Sequence, residues 1–333
     1  MTGPGIMEDR SRPGGYDVNI ALVGCGRAAQ QHVEAVALAG SGRIMAVVDE
    51  DAGRADEFAR LTGAAPRPLD DVLGDSRIDA VAICTPPNTH ASIAIAALHA
   101  GKAVIVEKPV TRTGDELDAI LAAADASGVP ALAMLQHRGR LPDAALRTPW
   151  TGDASAVIEV FRPRPRGHYF ADPWRHDPDR SGGGHVAHLA VHLLDVSCQL
   201  LGMPTSVSGL TDCRDVSGID TRAALAVQFS DGALMSVLAS AHPSPRGERL
   251  HMVDGERELL IADAGAEYRV GDAVEQLQQV PTPRLRALVY QELYAAVRGE
   301  APPERYALRR ARGVTAVLEE VRRLAAAVEE TVA

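Results

Sequence analysis

The sequence predicts a two-part α/β protein: a doubly wound parallel sheet first, then an α+β domain with a largely antiparallel, open-faced sheet. Three observations predict it. Short apolar runs alternate with helix-like stretches from Val18 to about Leu135, a glycine-bearing turn closes the first run, and beyond Gln136 one long helical stretch precedes a succession of strands. A chain of 333 residues is long for a single core and suits domains at 17–136 and 137–333.

In the first domain the expected strands are Asn19–Val23, Ile44–Val48, Ala80–Cys84, Ala103–Val106 and Ala131–Leu135. Helical stretches at Ala28–Ala39, Asp51–Leu61, Thr89–Ala100 and Gly114–Ala126 separate them. The second domain opens with a strand at Ala156–Phe161 and a loop from Tyr169 to Gly184, then a helix at His185–Leu201. Strands follow at Ser206–Thr211, Ala223–Phe229, Ala233–Ala239 and Leu250–Val253, and helices resume from about Pro283 to Glu330. Ser230-Asp231-Gly232 reads as a hairpin turn. No internal repeat is evident.

Composition narrows the function. The net charge of -10 argues against nucleic acid as a partner, and no apolar run approaches the length of a membrane span. The four cysteines are scattered without metal-ligand spacing, which suits a reducing cytoplasm. Residues 1–16 are polar and rich in Gly and Pro, without the apolar core of a signal peptide, and read as a disordered tail.

The turn Gly24-Cys25-Gly26-Arg27-Ala28-Ala29 lies between a strand and a helix. Gly24 permits a tight turn, Gly26 a close approach by a pyrophosphate, and Ala29 close packing of helix on strand. Arg27 and Ala28 open the helix, whose free N–H groups and positive end suit phosphates. Asp49 ends the next strand, where a carboxylate accepts hydrogen bonds from a ribose and repels a 2′-phosphate. That favours NAD over NADP, although Arg54 leaves NADP open; alternatively Asp49 caps the Asp51 helix. A second motif, Glu107-Lys108-Pro109, puts an amine at the carboxyl edge of the same sheet.

Four segments fall in order: Gly24–Ala29 followed by His32; Thr85-Pro86-Pro87-Asn88-Thr89-His90; Glu107-Lys108-Pro109; and Trp174-Arg175, Gly182-Gly183-Gly184 and His192-Leu193-Leu194-Asp195. The set resembles the glucose–fructose oxidoreductase / inositol dehydrogenase / MocA (Gfo/Idh/MocA) family over nearly the whole chain after Asp17. The resemblance implies a Rossmann domain and NAD(P)-dependent oxidation or reduction of a sugar, sugar nucleotide or cyclitol. It also implies that Thr85, Pro86, Asn88 and His90 line the nicotinamide side, with Glu107 in its structural use beside Lys108. Lys108 would contact the hydroxyl being oxidised, and copies would pack as homodimers or homotetramers through the open sheet face.

Oxidation of an alcohol needs a proton acceptor at the oxygen, and a desolvated lysine beside a nicotinium suits that task. Where the family has an aspartate one helical turn before its histidine, this chain has His188 before His192. An imidazole offers no fixed negative charge, so His192 is expected to be neutral at pH 7, and the base is either His192 or Lys108, with His188 tuning or relaying the proton. His185, His188 and His192 form one stripe at helical pitch. Three readings stand: a substrate pocket lined by imidazoles, structural hydrogen bonding, or a metal held by His188 and His192 with Asp195 or His185; the favoured reading has no metal. Trp174 offers a face for a sugar ring and Arg175 a partner for a carboxylate or phosphate. Arg162, Arg164 and Arg166 form either a diphosphate site or a solvated strand edge, and Arg138 and Arg140 carry the same ambiguity. Two rivals to a dehydrogenase remain: a redox-neutral enzyme that retains its NAD, and a non-catalytic NAD-binding sensor.

Overall fold

A computed structural model describes residues 18–242, 245–262 and 265–332. The expected tail at 1–16 lies outside them. The first sheet comprises β1 (Val18–Val23), β2 (Gly42–Val48), β3 (Ala65–Pro66), β4 (Ala80–Ile83), β5 (Ala103–Val106) and β6 (Ala131–Ala133). Its order is β3-β2-β1-β4-β5-β6 and every pairing is parallel. Every residue of β1, β4 and β5 is buried, because helices cover both faces of a parallel sheet. The strand order reverses between β1 and β4. Their carboxyl ends therefore open a crevice, the usual ligand position in such sheets.

The second sheet comprises β7 (Ser155–Phe161), β8 (Pro204–Asp212), β9 (Arg222–Phe229), β10 (Leu234–Ser240), β11 (Gly247–Asp254), β12 (Arg257–Ala262), β13 (Gly265–Val270) and β14 (Ala273–Gln278). The order is β14-β13-β12-β11-β7-β10-β9-β8, antiparallel except where β7 runs parallel to β10. Alternation sets its two faces. Ala223, Leu225, Val227 and Phe229 point into the core, which the Val191–Leu201 and Arg312–Val332 helices share. The opposite face is open and carries Val157, Leu234 and Leu238, each about half exposed.

β12, β13 and β14 are absent from the sequence expectation. Glu258, Glu267, Arg269, Glu275 and Gln276 interrupt their apolar pattern; Leu259, Ile261, Ala266 and Tyr268 are buried in the core and Leu277 packs against it partly exposed. Pairing with β11 holds these edge hairpins more than their own composition does. The Thr282–Val297 helix returns to the first sheet. Its Val289, Tyr290, Leu293 and Tyr294 share a core with Val18, Ile20, Leu22 and Ala35.

Candidate active site

The glycine turn after β1 meets the turn after β4. Gly24 has φ +90, and a Cβ there would lie 2.7 Å from Cys84 C and Thr85 N, so only glycine fits. Gly26 differs: a Cβ there would meet no atom of the chain within 4 Å, so packing does not require glycine at this position. The Arg27–Ala39 helix starts at Gly26 without a side-chain cap, leaving first-turn N–H groups for a ligand. Asp49 Oδ2 accepts from Cys25 N at 2.7 Å, and its Oδ1 accepts from Asp51 N at 2.9 Å and meets Arg54 Nη2 at 3.1 Å. The carboxylate thus braces the turn and the next helix start together. Asn88 Oδ1 is buried without a partner beside this crevice loop. An open glycine, an uncapped helix start and an idle amide oxygen fit a dinucleotide.

Around Lys108 the sequence expectation is only partly matched by the contacts. Glu107 turns away from the crevice: Oε1 accepts from Arg286 Nη1 at 2.6 Å and lies 2.9 Å from His32 Nε2, while Oε2 accepts from Lys108 N at 3.0 Å. His32 Nδ1 lies 2.6 Å from the Tyr290 hydroxyl. Burial pushes the Glu107 carboxyl up, but Arg286 and His32 outweigh it and hold it well below its usual range. His90 lies with Nε2 2.9 Å from Thr85 O and Nδ1 3.1 Å from Pro109 O, tying the two motif loops together. Lys108 Nζ reaches across to the second domain and donates to His188 O at 2.7 Å. Burial lowers its pKa to about 8; Glu107 opposes this, and Arg286, Arg175 and Arg162 add to it.

The expected helix at His185–Leu201 begins with a π-helical turn, Val186–Ala190, before regular helix at Val191–Leu201. A wider turn breaks the i, i+3, i+7 register, and the expected single stripe divides. His185 and His188 line a cleft with Lys108, Arg164, Tyr169 and Arg175. His192 does not line it. Its ring stacks on His137 from the connector, centroids 4.2 Å apart. Burial lowers His192 well below its ordinary pKa, and His137 and Lys108 add to that, so it is neutral at pH 7. The imidazole beside it is His137, not His188 as the sequence argument had it. Burial likewise holds His188 well below its ordinary value and takes His137 to about 3 and His185 to about 4.

Trp174 stands behind the cleft as a buttress rather than in its lining. Arg175 lies over its ring at 4.4 Å and the His188 ring is 5.8 Å away. The metal alternative loses Asp195 as its third ligand. Asp195 is fully buried and takes both Arg138 Nε and Nη2 at 2.8 Å, and no metal-holding group of three His, Cys, Asp or Glu occurs among the described residues. Asp220, absent from the sequence reading, holds the triple glycine: it accepts from Gly184 N and Val186 N at 2.8 Å, and a Cβ on Gly184 would come 2.1 Å from Asp220 O. The sequence reading also lacks His137 and Tyr169 as site residues, although only two residues separate Gln136-His137 from β6.

Residues 18–134 match the family described as "Oxidoreductase family, NAD-binding Rossmann fold", and residues 154–258 match "GFO/IDH/MocA C-terminal domain". The chain belongs to the Gfo/Idh/MocA oxidoreductase family. It is 33% identical over 145 residues to levoglucosan dehydrogenase of Pseudarthrobacter phenanthrenivorans, covering 42% of this chain and 37% of that one. It is 30% identical to D-xylose 1-dehydrogenase (NADP(+)) 2 of Haloferax volcanii, over 64% of this chain and 66% of that one. Both matches thus span less than two thirds of the relative's length. In fold it is similar to the WlbA dehydrogenase from Bordetella pertussis, solved in complex with NADH and UDP-GlcNAcA, with TM-score 0.80, 22% identity, and 93% and 96% of the two chains covered. The Rossmann sheet followed by a mostly antiparallel sheet is the arrangement expected from sequence.

Proposed function

We propose that this protein is an NAD(P)-dependent dehydrogenase or reductase acting on a secondary alcohol or ketone of a sugar, sugar nucleotide or cyclitol. The observation that carries the reading is Lys108: an amine with pKa about 8, at the carboxyl edge of a dinucleotide-type sheet, lining a cleft against the second domain. NAD or NADP, when bound, supplies the hydride acceptor or donor. The Gly24–Ala29 turn and its helix start hold the pyrophosphate, and Asp49 the ribose, which favours NAD; Thr85, Pro86 and Asn88 face the nicotinamide. Lys108 Nζ takes the proton of the alcohol in oxidation and returns it in reduction. The His188 carbonyl aims the amine at the cleft. His192, neutral and close enough to feel the Lys108 charge, lies outside the cleft lining and takes an electrostatic part, while His188 tunes or relays the proton. The protein acts in the cytoplasm, in keeping with its four free thiols, and pairs through the open sheet face bearing Val157, Leu234 and Leu238.

The test is NADH absorbance on mixing the protein with NAD, or with NADH, and a panel of cyclitols, aldoses, nucleotide sugars and their keto forms. Turnover with one class, reduced about a thousandfold in Lys108→Met, is expected. Turnover indifferent to Lys108→Met would sink the assignment.

A further inference from the structure

We infer that the cleft beside Lys108 is built for a substrate bearing an oxyanion, either a carboxylate or a phosphate ester, and that Arg164, Tyr169 and His185 form the subsite that receives it. The inference rests on the reading of this cleft as the substrate site.

Charge comes first. Lys108, Arg164 and Arg175 all line the cleft, and no carboxylate does. Of the carboxylates nearby, one pairs with the cleft residue Arg175 and the others are engaged elsewhere, so none is left for Arg164. Glu248 pairs with Arg162 at 2.5 Å, Asp172 with Arg175 at 2.7 Å, and Asp220 takes the backbone N–H groups of Gly184 and Val186. Among the described residues no carboxylate pairs with Arg164, whose side chain donates only to Pro163 O, at 2.9 Å. In a chain with net charge -10, a cleft with surplus positive charge is a local arrangement and not a reflection of composition.

Unused donors come second. Tyr169 is 6% exposed and its hydroxyl has no partner; His185 is 2% exposed, the Val160 backbone acts on its ring, and neither ring nitrogen makes a well-formed hydrogen bond. Buried polar groups are kept idle only at a cost, which a ligand would relieve. A neutral polyol would satisfy the hydroxyl and the imidazole but leave the guanidinium uncompensated. An oxyanion satisfies all three.

Rigidity comes third. Arg162 N donates to Ser240 O at 3.1 Å and Arg164 N to Ala241 O at 2.8 Å, so the segment continues the β7–β10 pairing past the strand end. Pro163 and Pro165 fix the backbone on either side. Arg164 is thus held in place before any ligand arrives, which limits the ordering cost of binding.

Calorimetric titration of the full-length protein, with NADH present, tests this with matched probes: glucose against glucuronate, glucose against glucose 6-phosphate, and glucose against UDP-glucose. At least one anionic probe is expected to bind about tenfold or more tighter than glucose, as one charge-assisted hydrogen bond allows. The arm that shows the preference identifies the carboxylate, the phosphate ester or the diphosphate as the source. In Arg164→Gln the preference falls to about one, and Arg164→Lys recovers part of it. The inference is overturned if no anionic probe outbinds glucose, or if Arg164→Gln leaves the ratio unchanged. Arg164-dependent anion binding without hydride transfer to any probe would defeat the dehydrogenase assignment and leave this subsite standing. Turnover of neutral polyols with no anionic preference would do the reverse.

Discussion

Histidines stand on both sides of Lys108, and the two sides differ in what the ring nitrogens do. On the first-sheet side His32 uses one nitrogen toward Tyr290 and the other toward Glu107, and His90 has both nitrogens within reach of backbone carbonyls, to one of which the neutral ring donates. On the second-domain side His185 has two nitrogens without a well-formed hydrogen bond, and His137 and His192 each have an idle Nδ1. Both sets are buried. A buried ring with both nitrogens engaged braces the backbone, and its removal breaks a network. A buried ring with idle nitrogens contributes little to folding, which points to a use in binding. Residue type alone therefore does not separate framework from site.

The largest expected effect is on the braced side. Glu107→Ala leaves Arg286 as an uncompensated buried charge and should lower unfolding free energy in urea by about 3–5 kcal/mol. A loss below about 1 kcal/mol would show that the network is not a framework. On the idle side, His185→Phe at pH 7.5 should change stability by less than about 1 kcal/mol, because no well-formed hydrogen bond is lost.

The same variant gives an acid test. His185 binds its proton at about 4 when folded and near 6.5 when unfolded, so its stabilising contribution is present above pH 6.5 and is lost as pH falls toward 4. Wild-type protein should lose up to about 3 kcal/mol more than His185→Phe across that interval, read from urea midpoints. Equal acid weakening in the two proteins would contradict a buried neutral imidazole.

Smaller effects concern tuning. In the oxidative direction kcat/KM should rise with pH to a plateau above about 8, as Lys108 loses its proton. Arg175 helps to lower that value, so Arg175→Gln should move the inflection upward by a few tenths of a pH unit or more; an unmoved or lowered inflection would remove Lys108 as the titrating group. Least of all, Asp49→Ala should free Arg54 and shrink the preference for NAD over NADP by about tenfold, measured as the ratio of kcat/KM values.

Much of the first sheet is legible because β4 and β5 are continuous apolar runs and β1 is one broken only by Asn19, all between helical patterns. The glycine turn was legible because Gly24 answers a local demand for positive φ. Other features depended on distance. His32, Glu107 and Arg286 form one network although 75 and 179 residues separate Glu107 from its partners, and no spacing rule reaches that far. The π-helical turn starts at Val186, whose N–H goes to Asp220, 34 residues away, and a histidine register drawn at regular pitch merges the two environments it separates. His137 lies in a connector whose pattern carries no periodic signal, and only tertiary packing stacks it on His192. β12 to β14 owe their strand form to a neighbour.

The return of the Thr282–Val297 helix to the first sheet has a consequence for synthesis. A nascent chain completes all six strands of that sheet long before Tyr290 and Tyr294 leave the ribosome, and until then Ile20, Leu22, Ile105 and Met134 lack part of their cover. The first sheet is therefore expected to stay incompletely packed until the Thr282–Val297 helix has been made. A fragment ending at Pro142 should be recovered mostly as aggregate, and adding a peptide spanning Thr282–Val297 should raise its soluble yield. A monomeric, cooperatively melting fragment would show instead that the sheet closes without it.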